Sequence, residues 1–149
     1  NMTLQEKINI DIREAMKEKN VDKLAALRSV KSAIMLEATK KGISQVSDVI
    51  SLKLIAKLVK QRKDSATIYE NQDRHDLAVD EINQMKFLEC YLPAQMNDDE
   101  IKIVVKEVIR KSGANSIKDM GKCMGILISK LDGVADSSTI SKLVKQELS

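Results

Sequence analysis

Aromatic side chains are nearly missing from this chain: Tyr69, Phe87 and Tyr91 are the only ones in 149 residues. Folds that read RNA by stacking bases on aromatic rings are therefore poor matches. One proline and five glycines are too few for the many corners of a strand-and-turn protein. Low Pro and Gly with abundant Lys, Leu, Ile, Glu and Ala favour helices. Cysteine and histidine are as sparse: Cys90, Cys123 and His75, with no CxxC pair. A structural zinc site takes about four such ligands, so no metal is expected. Both cysteines fall in apolar helical registers, which predicts buried free thiols in a reducing compartment. No apolar run approaches the ~20 residues of a membrane span. Residues 2–7 are charged and lack the apolar segment of a secretory signal. Asn1 ahead of Met2 reads as an expression remnant, and the chain as a cytoplasmic protein with no membrane partner.

What is present is a helical grammar. Hydrophobic residues make up 43% and charged residues 32%, with a net charge of +3. That balance fits a globular protein and permits a local basic patch. Thr3 and Glu6 have capping-box spacing, and Leu4, Ile8, Ile12, Ala15 and Met16 share one helix face. Asn20 is a stop, Asp22 a cap for a second helix carrying Leu24, Leu27, Val30, Ile34 and Ala38, and Gly42 its end. Ser47 or Asp48 opens a long third helix, buried on a broad face by Leu52, Ile55 and Val59 with Leu54 and Leu58. Polar residues 70–76 interrupt it, and a fourth helix follows with Ala78, Ile82, Met85, Leu88 and Leu92 in register.

Pro93, the one proline, stops that periodicity. Asn97 with Glu100, and Met96 with Ile101, then supply a capping box and a hydrophobic staple. The boundary predicted there separates a helical domain over 1–93 from a second over 94–149. The second reads as three shorter helices. Ile101, Val104, Val105, Val108 and Ile109 mark the first, which ends near Gly113. Ser116 with Asp119 caps the next, carrying Ile117, Met120, Met124, Leu127 and Ile128. Asp136, after Gly133, caps the last, with Ile140, Leu143, Val144 and Leu148.

Catalytic patterns are wanting. His75-Asp76 is adjacent in a polar turn and does not by itself make a dyad. There is no Walker A sequence and no GxGxxG after a strand. Asp98-Asp99-Glu100 is explained by a helix N-terminus. Neither catalytic residues nor a cofactor are expected. Two basic segments remain. Lys53, Lys57, Lys60, Arg62 and Lys63 form a secondary basic face on the third helix, which a solvated surface also explains. From Arg110 to Lys145 there are seven basic residues against three acidic ones, a surface that attracts phosphate backbones. Gly121 and Gly125 lie inside a predicted helix with Lys122 between them. Interior glycines cost about 1 kcal/mol each against Ala, which close helix packing, the commoner cause, or close approach of a ligand would offset.

Lys60-Gln61-Arg62-Lys63-Asp64-Ser65 resembles a signature of the YqeY family. Arg74-His75-Asp76-Leu77-Ala78, Tyr91-Leu92-Pro93-Ala94-Gln95, Lys118-Asp119-Met120-Gly121-Lys122-Cys123-Met124-Gly125 and Gly133-Val134-Ala135-Asp136 look like its further blocks, in the family's order. The resemblance implies an all-α fold, an N-terminal four-helix part followed by a C-terminal three-helix domain like the tail of GatB, a subunit of tRNA-dependent amidotransferase. In GatB that tail binds tRNA, and the chemistry lies in a cradle domain that residues 1–92 do not resemble. The family commonly has a basic residue where Val134 stands and a glycine where Ser137 stands.

The expected function is thus a non-catalytic module binding tRNA, or a tRNA-handling complex, through its C-terminal domain. Lys118, Lys122, Lys130, Lys142 and Lys145 would meet phosphates beside a face relieved by Gly121 and Gly125. A rival is a protein-interaction adaptor docking through the third helix. A third possibility is glutamine-dependent carbon–nitrogen ligation.

Overall fold

A computed structural model describes residues 2–149; Asn1, read above as an expression remnant, lies outside the described residues. Among them there are seven α-helices and no strand: α1 Leu4–Glu18, α2 Val21–Lys41, α3 Asp48–Asn71, α4 His75–Glu89, α5 Asp98–Ser112, α6 Met120–Lys130 and α7 Ser137–Leu148, with a 3₁₀ turn at Ile117–Asp119 before α6. The chain divides into two compact units, one running up to Leu92 and one from Pro93 to Ser149.

The caps explain most boundaries. Thr3 and Glu6 make both bonds of a capping box, as do Asn97 and Glu100. The predicted cap Asp22 is not used. Lys19 closes α1 with a left-handed backbone, φ 56°, and Asn20 caps α2 by accepting from the Lys23 amide at 3.2 Å. Only Lys19 and Asn20 join the two helices; with Lys19 as the C-cap of α1, the cap of α2 is Asn20, and Asp22 falls inside the first turn. Ser116 likewise makes no cap bond. The chain takes a 3₁₀ turn there, and Asp119 accepts from the Asn115 amide at 3.1 Å. Asp136 stands at the α7 N-cap with its carboxylate toward the Ser138 hydroxyl. Helix α4 ends at Glu89, short of Leu92, so Cys90 sits at its C-cap and is exposed. That corrects the expectation of two buried thiols; only Cys123 is buried.

The first unit buries Ile8, Ala15, Ala26, Leu27, Val30, Ile34, Val46, Ile55 and Leu88. Its most extensive helix pair is α3 with α4. Tyr91, just past α4, donates its hydroxyl to Asp11 of α1, with Lys7 Nζ 5.6 Å from the ring centre. Burial and that carboxylate push the phenol's ionisation far above its ordinary range, so it stays a donor. The broad face predicted for α3 is present: Ser51, Ile55 and Ala66 are buried, and Ile50, Leu54, Leu58 and Val59 pack partly buried against the core. The Ser51 hydroxyl oxygen has no hydrogen-bond partner. A buried unpaired polar group costs about 1–3 kcal/mol, and Ala is the better helix former. Ser51→Ala is therefore expected to raise stability by about 1 kcal/mol in urea unfolding, and a loss of stability would show the hydroxyl to be satisfied.

The second unit buries Ile101, Val105, Val108, Cys123, Leu127, Leu131, Ile140, Leu143, Val144 and Leu148. Helices α5, α6 and α7 each pack on the other two. Val134 supports this core from the loop: it packs against it, and its carbonyl accepts the Met96 amide at 2.9 Å.

Candidate nucleic-acid interface

Helix α6 turns Cys123 and Leu127 inward, with Met120 and Met124 packed partly against the core. At 3.6 residues per turn, the opposite side carries Gly121, Gly125 and Ile128. All three are exposed. A Cβ built on either glycine would meet nothing within 4 Å. Packing, the commoner explanation expected from sequence, is thus not what these glycines serve. They leave bare helix backbone open to solvent.

The five lysines occupy three settings. Lys118 in the 3₁₀ turn and Lys122 in the first turn of α6 are exposed beside the glycines in sequence. Lys130 ends α6 on the side facing α5, where its charge reaches Glu107. Lys111 Nζ lies 2.8 Å from the Glu107 carboxylate. Lys111, Lys130 and Arg110 together hold that carboxyl below its usual range. Lys142 and Lys145 are exposed on the outer side of α7, opposite Ile140, Leu143, Val144 and Leu148. Over residues 93–149 nine basic side chains stand against eight acidic ones, so the unit is polarised rather than strongly charged. Along α5, Asp98, Asp99 and Glu100 occupy the first turn and Arg110 and Lys111 the last. Roughly 16 Å of helix separates the two groups, and both signs suit the helix dipole.

The secondary basic face divides as well. Lys53, Lys57, Lys60 and Lys63 are exposed on α3. Arg62 turns inward. Its guanidinium donates to Gln84 Oε1 of α4 at 3.1 Å, to Ser29 Oγ of α2 at 3.0 Å and to the Leu58 carbonyl at 3.3 Å. Sequence reasoning counted it with the surface lysines and missed this tie. Its i, i+4 spacing from Leu58 and i−4 spacing from Ala66 were the available signal. Met35 and Leu36 were also missed: they are 59% and 71% exposed, and both fall outside the Leu27–Val30–Ile34 register.

His75 and Asp76 do not pair with each other. His75 Nδ1 lies 2.5 Å from Glu70 Oε2, and Arg74 donates twice to Asp76 at 3.2 Å. These side chains are exposed. The arrangement is a charged clasp on the α3–α4 turn, with no nucleophile in it. Among the described residues no three His, Cys, Asp or Glu side chains gather as a metal site, and no helix is long and apolar enough to cross a membrane.

Two curated relatives carry the name altered inheritance of mitochondria protein 41, mitochondrial. The protein of Clavispora lusitaniae is 31% identical over 110 residues, which cover 72% of this chain and 64% of that protein. That of Vanderwaltozyma polyspora is 26% identical over 116 residues, covering 74% and 63%. The chain thus spans a little under two thirds of the length of these relatives. Yqey-like proteins, as a family, match it from residue 5 to residue 148. With that match running through both helical units, the chain belongs to the YqeY-like family.

Proposed function

We propose that this YqeY-like protein is a non-catalytic helical module that binds tRNA, or a complex that handles tRNA, through residues 94–149. The observation that carries the reading is the uncovered backbone at Gly121 and Gly125, adjoining the exposed Lys118 and Lys122. A glycine face lets a phosphate backbone come close, and the lysines neutralise it. The resemblance of this unit to the GatB tail points the same way. With few aromatics the contact would follow shape and phosphate position rather than base identity. The setting proposed is cytoplasmic; the two relatives are mitochondrial by name.

The test is tRNA affinity measured across salt. Each phosphate contact contributes about 0.7–0.9 to the slope of log affinity against log salt. A Lys118/Lys122/Lys130 triple Ala variant should therefore lose about 2 to 3 in slope and bind weakly near physiological salt. Gly125→Gln adds a side chain where the protein leaves room, so the fold should gain up to about 1 kcal/mol while tRNA binding falls. Affinity and slope unchanged in both variants would refute the reading.

A further inference from the structure

The first unit carries a second open surface, independent of the α6 face. Helices α2 and α3 leave between them a cleft of about 270 Å³ lined by Ala33, Leu36, Leu54 and Leu58, with Lys40, Lys57, Gln61 and Glu37 around them. Leu36 is 71% exposed on its lip. Helix α2 is apolar on more than one side: Leu27, Val30 and Ile34 serve the core, leaving Leu36 and Met35 to solvent. At its far end Arg62 ties α3 to Ser29 of α2. The lining spans eight residues on each helix, Ala33 to Lys40 and Leu54 to Gln61, about 10 Å of axis, or two helical turns.

The charges around this apolar floor are positive on both walls. Lys40 stands on α2 and Lys57 on α3. The one acid in the lining, Glu37, is held by Lys41 Nζ at 3.0 Å. We propose that the α2–α3 cleft docks a short amphipathic helix of a partner protein, its leucine-type side chains seated on Ala33, Leu36, Leu54 and Leu58 and its acidic side chains on both shoulders meeting Lys40 and Lys57. Leucines at i and i+4 match the two-turn length. The apolar lining favours a protein helix over RNA, because phosphates and sugars gain nothing from leucine and no aromatic ring lines the cleft.

The probe is a dye-labelled, end-capped peptide of three to four turns with leucines at i, i+4 and i+7 and glutamates flanking that stripe. A twin with lysine for each glutamate is the control. Fluorescence anisotropy on the full chain should show the acidic peptide binding at least about tenfold tighter than its twin. Lys40→Glu with Lys57→Glu should reverse that preference, and Leu36→Asp should abolish binding of both. Both substituted surfaces are exposed, and an unchanged helical circular dichroism spectrum and melting curve verify the fold. Equal affinity for the two peptides, no binding by the acidic one, or its retention by the double Glu variant would overturn the proposal. So would displacement of the peptide by tRNA, or self-association of the chain that Leu36→Asp dissolves. Apart from displacement by tRNA, none of these outcomes involves Lys118, Lys122 or Lys130, so this cleft and the tRNA reading fail separately.

Discussion

Leu127→Ala should strip hydrogen-exchange protection from α5, α6 and α7, whereas Ile126→Ala, one residue away, should leave it intact. Leu127 has no exposed surface, while Ile126 is 42% exposed. Cutting a buried Leu to Ala costs about 2–5 kcal/mol, from lost transfer free energy and the cavity left behind. A unit the size of residues 93–149 holds only about 3–5 kcal/mol in all. Cys123, Val105 and Val144, which share full burial with Leu127, are too small to close the hole. The loss therefore approaches the whole stability of the unit rather than a fraction of it. Ile126 removes exposed surface only, within about 0.5 kcal/mol. If tRNA binding belongs to this unit, Leu127→Ala should abolish it without changing a single charge. Retained protection in Leu127→Ala would mean that these three helices do not share the core described.

The helices and their inward faces were legible because both follow from periodicity and local capping. Thr3 with Glu6, and Asn97 with Glu100, bond within four residues of themselves, so nothing distant is needed to read them. Asn20 was harder. Whether it ends one helix or begins the next depends on Lys19 adopting a left-handed backbone, for which no nearby glycine gave warning. The exposure of Cys90 likewise turns on where α4 stops, and the apolar register ran on through Leu92. The candidate RNA face was legible only as composition. Seven basic residues in one stretch say nothing about direction, and Lys130 and Lys142 point as their helices dictate. The glycines were legible as an anomaly, but whether their faces are covered is a fact of tertiary packing. The α2–α3 cleft left a faint trace, Leu36 out of register. A second apolar side on one helix reads equally as core until its neighbours are placed.

Arg62→Ala should cost about 2–3 kcal/mol in urea unfolding, and Lys63→Ala, beside it, no more than about 0.5. The two residues are neighbours in the run Lys60-Gln61-Arg62-Lys63-Asp64-Ser65, and sequence alone treats them as one basic patch. Their settings differ. Lys63 is exposed. Arg62 links three helices, with its guanidinium on Gln84 of α4, Ser29 of α2 and the Leu58 carbonyl of its own helix. Ser29 passes the bond on, donating to the Ala26 carbonyl at 2.6 Å. Burial lowers the affinity of the guanidinium for its proton and Glu81 opposes that loss, but arginine stays charged at any pH at which the protein folds. A charged donor contributes about 1.5–3 kcal/mol per hydrogen bond, and partial exposure keeps the three together nearer the value of one. Arg62→Lys should fall between wild type and Arg62→Ala, since a single ammonium cannot reproduce a fork directed at two other helices. Arg62→Met should be no better than Ala, because restoring the stem leaves Gln84 and Ser29 unpaired. If Arg62→Ala proves as mild as Lys63→Ala, the inward tie contributes nothing, and the whole run belongs to the surface. If the expected order holds, the run does two separate jobs one residue apart. Arg62 then fixes the spacing of α2 and α3, and with it the width of the cleft in which Leu54, Lys57 and Leu58 stand.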